Sequence, residues 1–77
     1  MSIERTILRN LEERAGGMLP VGTLWADVMI DEPGVSYTEF SKGLLNLEVK
    51  GQVVIVNGED RRKAKITDAG RARLLEQ

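Results

Sequence analysis

The hydrophobic pattern of this chain changes period several times, and the change that organises the rest falls between Val35 and Val56, VSYTEFSKGLLNLEVKGQVVIV. At about 100° of helical rotation per residue, Leu44 and Leu47 fall within roughly 40° of Phe40, and Gly43 about 60° away, a narrow apolar stripe on one face. Ser36 is placed to open that helix, with Tyr37 and Thr38 in its first turn. Gly51 is placed to stop it, because glycine tolerates the left-handed conformation past a helix end. Four apolar β-formers, Val53-Val54-Ile55-Val56, come next and predict a buried strand.

The other segments follow the same logic. From Ser2 to about Arg14, Ile3, Ile7, Leu8 and Leu11, with Ala15 just after, sit at helical spacing. Glu4, Arg5, Arg9, Glu12 and Glu13 take the other face, Ser2 is the candidate N-cap, and Gly16-Gly17 the stop. Arg5 and Arg9 are like charges four residues apart, so packing rather than charge pairing should hold this helix. Met18-Leu19-Pro20-Val21 predicts a short edge strand, the place where a proline is tolerated. Leu24, Trp25, Val28 and Met29 predict a second helix from Gly22 or Thr23 to about Met29. Asp31-Glu32-Pro33-Gly34 is a turn that joins it tightly to the third. Asn57-Gly58-Glu59-Asp60 predicts a hairpin, either through a type I′ turn at Asn57-Gly58 or through a longer loop centred on Glu59-Asp60. Residues 61–66 return as a second strand in which Lys63 and Lys65 alternate with Ala64 and Ile66. Thr67 can cap a last helix from Asp68 to about Leu75, with Ala69, Ala72 and Leu74 or Leu75 facing inward. The predicted core is Ile7, Leu8, Leu11, Leu24, Val28, Phe40, Leu44, Leu47, Val54 and Ile66.

Seventy-seven residues suggest one domain, residues 1–77, that buries only about 60% or a little more of its unfolded surface. With neither cysteine nor histidine, no disulfide or structural zinc site is expected, and an apolar core must suffice. No apolar run approaches the roughly 20 residues of a membrane helix, and the charged, amphipathic N-terminus is not a signal peptide. A cytoplasmic location is the expectation. An enzyme is not: the carboxylates are scattered, and Gly16-Gly17 follows a helix without a preceding strand, so it is no phosphate-binding loop. No cofactor or metal is implied. The net charge of −1 conceals an asymmetry, since residues 1–60 carry −5 and residues 61–77 carry +4. A basic end suits a phosphate backbone, and it equally suits a solvated surface.

The order helix, short strand, helix, helix, hairpin, helix resembles the winged helix-turn-helix family. Leu44-Leu45-Asn46-Leu47-Glu48-Val49-Lys50-Gly51-Gln52-Val53 is similar to that family's recognition-helix ending, two leucines, a glutamate and a glycine before a valine strand. Ile66-Thr67-Asp68-Ala69-Gly70-Arg71 is similar to the segment that closes the wing in MarR-like and PadR-like regulators. The resemblance implies an α+β fold: a three-helix core, a small antiparallel β-hairpin wing and a short C-terminal helix. Small phage and prophage proteins also adopt stripped-down domains of this kind. Gln52 departs from the pattern, standing where an apolar residue usually follows the glycine. The chain also leaves little room for the extra dimerisation helices of those regulators.

In such a fold the third helix would enter the major groove of double-stranded DNA, as in a small bacterial or phage transcriptional regulator. The face opposite Phe40 holds Thr38, Lys42, Leu45, Asn46 and Val49, with Ser41 at its flank and Tyr37 at its rim. Thr38, Ser41 and Asn46 can hydrogen-bond bases or phosphates, and Lys42 can contact phosphate or guanine. Arg61, Arg62 and Lys63 would grip phosphate from the wing, with Arg71 or Arg73 adding contacts. The plain alternative for each is a solvated side chain. Glu39 and Glu48 flank the helix and would repel phosphate. Leu45 and Val49 form an apolar pair at i and i+4 that suits a homodimer or a protein partner as well as DNA, so a protein-interaction module without DNA binding is the competing reading. Trp25 reads as core, and Gly43 as a point of close helix packing.

Overall fold

The computed structural model describes residues 2–76. Its elements are α1 (Ile3–Glu12), β1 (Met18–Pro20), α2 (Val21–Asp31), α3 (Tyr37–Val49), β2 (Val53–Asn57), β3 (Arg62–Ile66) and α4 (Asp68–Leu75). The strands form one antiparallel sheet in the order β1-β3-β2, and α1 lies at the centre of the helices, packed on α2, α3 and α4. This is an α+β winged-helix layout.

The local signals explain most boundaries. Ser36 and Glu39 form a reciprocal capping box at the start of α3, the Ser36 hydroxyl accepting from the Glu39 amide at 3.1 Å. At the other end Gly51 takes φ +75°. The Gln52 amide then donates to the Leu47 carbonyl at 2.9 Å and the Gly51 amide to the Glu48 carbonyl at 3.0 Å, closing a Schellman motif that turns the chain into β2. The Thr67 hydroxyl caps α4 by accepting from the Gly70 amide. Ser2 occupies the N-cap position of α1 without a side-chain bond; its carbonyl accepts from Thr6 instead. The second helix is longer than its pattern suggests. Pro20 serves as its N-cap and Val21 enters the helix, which cuts β1 to three residues.

The core comprises Ile7, Leu8, Leu11, Leu24, Val28, Phe40, Leu44, Leu47, Val53, Ala64 and Ile66. Val54, expected inside, is 47% exposed, whereas Val53 is 1% exposed. Strand side chains alternate, so the tight turn at Gly51-Gln52 decides the parity and sends Val53 and Ile55 toward the helices, Val54 and Val56 away. In α4 the inward residue is Gly70, not Ala69 or Ala72, both of which are exposed. A Cβ on Gly70 would collide with the Gln52 carbonyl oxygen and lie 2.8 Å from Ile66 Cγ1, so backbone meets backbone there. That contact rotates Leu74 against the core and leaves Leu75 exposed. The hairpin uses the longer of the two loops. Asn57 pairs with Arg62, the Gly58 amide donates to the Arg61 carbonyl at 3.1 Å, and Glu59-Asp60 forms the tip. Neither Asn57 nor Gly58 has the positive φ that a type I′ turn demands.

Candidate nucleic-acid interface

Buried polar groups and aromatic packing hold α2 and α3 in place. Thr6 and Asn10 of α1 are buried, yet both are satisfied. The Thr6 hydroxyl donates to Glu32 at 3.1 Å, and the Asn10 amide to Asp31 at 3.0 Å and to the Thr6 carbonyl at 2.8 Å. These bonds fasten α1 to the end of α2, where the Val35 amide donates to the Glu32 carbonyl and closes the turn around Pro33-Gly34. Trp25 of α2 is half-buried against Phe40 (ring centroids 5.1 Å) and Tyr37 (5.4 Å, edge-on), so the rings fix the first turn of α3 against α2. Gly43 faces α1, and a Cβ there would come 3.2 Å from Ile3 Cγ2, the close helix approach its position suggests.

With Phe40, Gly43, Leu44 and Leu47 buried, α3 presents Tyr37, Thr38, Lys42, Leu45, Asn46 and Val49 to solvent, with Ser41 half-buried at the flank. Leu45 is 57% and Val49 79% exposed. The wing stands beside this face: Tyr37, Ser41, Leu45 and Glu48 of α3 line one groove together with Ile55 and Arg62 of the sheet. Arg61 and Arg62 also border an open cleft with residues 20–23, at the start of α2. Lys63 and Lys65 alternate with Arg62 and Ala64 along β3, so they lie on the outer sheet face rather than in the groove. The structure therefore brings Arg62 to the groove beside α3, places Arg61 by the start of α2 and sets Lys63 apart. The acidic tip Glu59-Asp60 projects beyond them.

The remaining cations are already engaged. Arg71 binds Glu12 at 3.0 Å and Asp68 at 3.3 Å, Arg73 binds Glu4 at 2.6 Å, Lys50 binds Glu4 at 2.9 Å, and Arg14 and Arg9 pair with Asp27 and Asp31. Arg5 spends its guanidinium on the Arg73, Leu74 and Glu76 carbonyls at the end of α4. Hydrogen bonds from Arg73 and then Lys50 hold the Glu4 carboxyl below its usual pKa, against the opposing effect of desolvation. The Glu12 carboxylate likewise raises the pKa of Arg71. Gln52, the residue that departs from the family pattern, accepts from Arg73 at 2.9 Å, and this gives its polar side chain a partner. Among the described residues, the cationic side chains with neither an ion-pair nor a hydrogen-bond partner are Lys42, Arg61, Arg62, Lys63 and Lys65, all on α3 or the wing; Arg5, on α1, has carbonyl partners but no carboxylate. The capping role of Glu39 is carried by a Ser-x-x-Glu signal at 36–39 that a charge-only reading of the residue misses. Among the described residues no group of acidic side chains could hold a metal ion, and no helix is long and apolar enough to cross a membrane.

A helical core with an outward α3 and a hairpin alongside it defines a winged helix. The chain superposes on the crystal structure of a MarR-family transcriptional regulator from Silicibacter pomeroyi with a TM-score of 0.79 and 25% identity, over 96% of this chain and 47% of that one. It thus spans about half the length of that regulator. No family model matches the sequence, and no curated protein matches it.

Proposed function

We propose that this chain is a DNA-binding winged-helix module of a transcriptional regulator acting in the cytoplasm. In this reading α3 enters the major groove through Tyr37, Thr38, Ser41, Lys42, Leu45 and Asn46. Arg61 and Arg62 hold phosphate from the groove side of the wing, and Lys63 from its outer face. The observation that carries the reading is the charge distribution: the cations of the body are engaged by carboxylates or, for Arg5, by carbonyls, while the cationic side chains with neither kind of partner among the described residues gather on α3 and the wing. The likeness to a transcriptional regulator supports it. Glu39 is drawn back into the helix cap, which lessens its repulsion of phosphate.

The test is a duplex-DNA titration by fluorescence anisotropy over a range of salt. Affinity should fall steeply with salt, and Arg61→Ala with Arg62→Ala should weaken binding to any sequence and flatten the log–log slope by about two units. Absence of binding to mixed-sequence duplex at low salt would refute the proposal. The exposure of Leu45 and Val49 favours a second reading, a protein-interaction module in which the basic part docks an acidic partner. In that case Leu45→Glu would abolish the association seen by light scattering, and DNA would not bind.

A further inference from the structure

The wing sheet has two edges of different character. The β1 edge is three residues long and ends in Pro20, which offers no amide N–H. The β2 edge is open and unguarded. The Thr67 amide donates to the Gln52 carbonyl and the Gly58 amide to the Arg61 carbonyl, each at 3.1 Å. Because hydrogen-bonded pairs alternate along an antiparallel ladder, Val54 and Val56 exchange bonds with Lys65 and Lys63, and the N–H and C=O groups of Val53, Ile55 and Asn57 point off the sheet. Native edges are normally blunted by charge, proline or a bulge. The segment Val53-Val54-Ile55-Val56-Asn57 carries no charge and no proline, and its pairing to β3 is regular throughout. On the outer sheet face it also exposes Val54 and Val56.

We propose that a second copy of this chain pairs on this edge, β2 against β2, antiparallel about a two-fold axis at Ile55. In that register Val53 stands opposite Asn57 of the second copy and Ile55 opposite itself, so every outward N–H and C=O meets its counterpart. Val54 then stands opposite Val56 of the second copy, and the exposed valines cover one another. A second copy is the occupant because the edge is complementary to itself, as a two-fold interface requires, and because pairing it buries no charge. A short strand and its paired valines fall well below the ~800 Å² per partner of a standard interface, so the dimer is weak and forms with rising concentration. It involves neither Leu45 nor Val49.

Sedimentation equilibrium from about 10 µM to about 1 mM tests this without DNA. The mass should climb from one chain toward two. Val54→Lys with Val56→Lys, and separately Val54→Glu with Val56→Glu, should each weaken association by at least about tenfold, because like charges then face each other across the strands. An equimolar mixture of the two double variants should dimerise again, which also shows that both are folded. Ile55→Pro, which removes the N–H at the axis, should leave a monomer, and Leu45→Glu should leave the dimer intact. A wild-type mass that stays monomeric to about 1 mM overturns the proposal. So does undiminished dimerisation of both double variants, or a mixture of them that stays monomeric.

Discussion

Gly70 is the residue on which the seating of α4 depends. The backbone of Gln52 occupies the space a side chain would need, and a backbone atom cannot step aside as the end of a long side chain can. Gly70→Ala is therefore expected to cost on the order of 1–3 kcal/mol in urea unfolding, the range typical of overpacking. Gly22 is the counterpart: it lies in the first turn of α2 with open space for at least 4 Å around the position a Cβ would take, and no positive φ. Gly22→Ala should stabilise the protein by about 0.4–1 kcal/mol by restricting the unfolded chain. Glu4 gives a pH signature. Its side chain is 14% exposed and accepts from Arg73 and Lys50. Because its folded pKa is depressed, its contribution to stability is fully present above the unfolded value of about 4.3 and is lost as pH falls through the lower folded value. Glu4→Gln should thus be less stable than wild type at neutral pH, and the deficit should shrink as urea unfolding is repeated below about pH 4. These contacts are not legible in the sequence. Glu4, Gln52 and Arg73 lie far apart along the chain, and no local pattern announces that the fold brings them together.

At the scale of elements, local chemistry is the better guide. The third helix is readable at both ends, since Ser36 and Gly51 act through bonds within a few residues of themselves. Ser36→Ala should cost about 1 kcal/mol, visible in urea unfolding. The strand after it is legible in position but not in parity. A run of four apolar residues has no alternation to show which side faces inward, and Val53 and Val54 exchange places on a one-residue difference in the preceding turn. The two valines offer a direct check: Val53→Ala should lose on the order of 2 kcal/mol, Val54→Ala almost nothing. Equal losses would contradict the register of β2 on β3. The inner face of the last helix is misleading for a related reason. Alanines at helical spacing look like an inner face, but Gly70 approaches more closely than any alanine can, so the face it lies on wins.

Over the whole molecule, the arrangement separates two kinds of charge. Pairs such as Arg71 with Glu12 and Arg73 with Glu4 tie α1 to α4, while Arg62 reaches the groove that α3 shares with the sheet. The sequence shows a basic end but not that its cations divide in this way. Arg71 and Arg73, candidates for DNA contact by charge alone, are engaged on α1. The alternation along β3 carries Lys63 to the opposite sheet face from Arg62. In the proposed function the outward side of α3 and the groove side of the wing act as one DNA-contacting surface. Amide chemical-shift mapping during titration with duplex DNA tests it most directly. Shifts should concentrate at residues 37–46 and 58–62, with α4 largely unmoved. Shifts confined to α1 and α4, or none at saturating duplex in low salt, would contradict it.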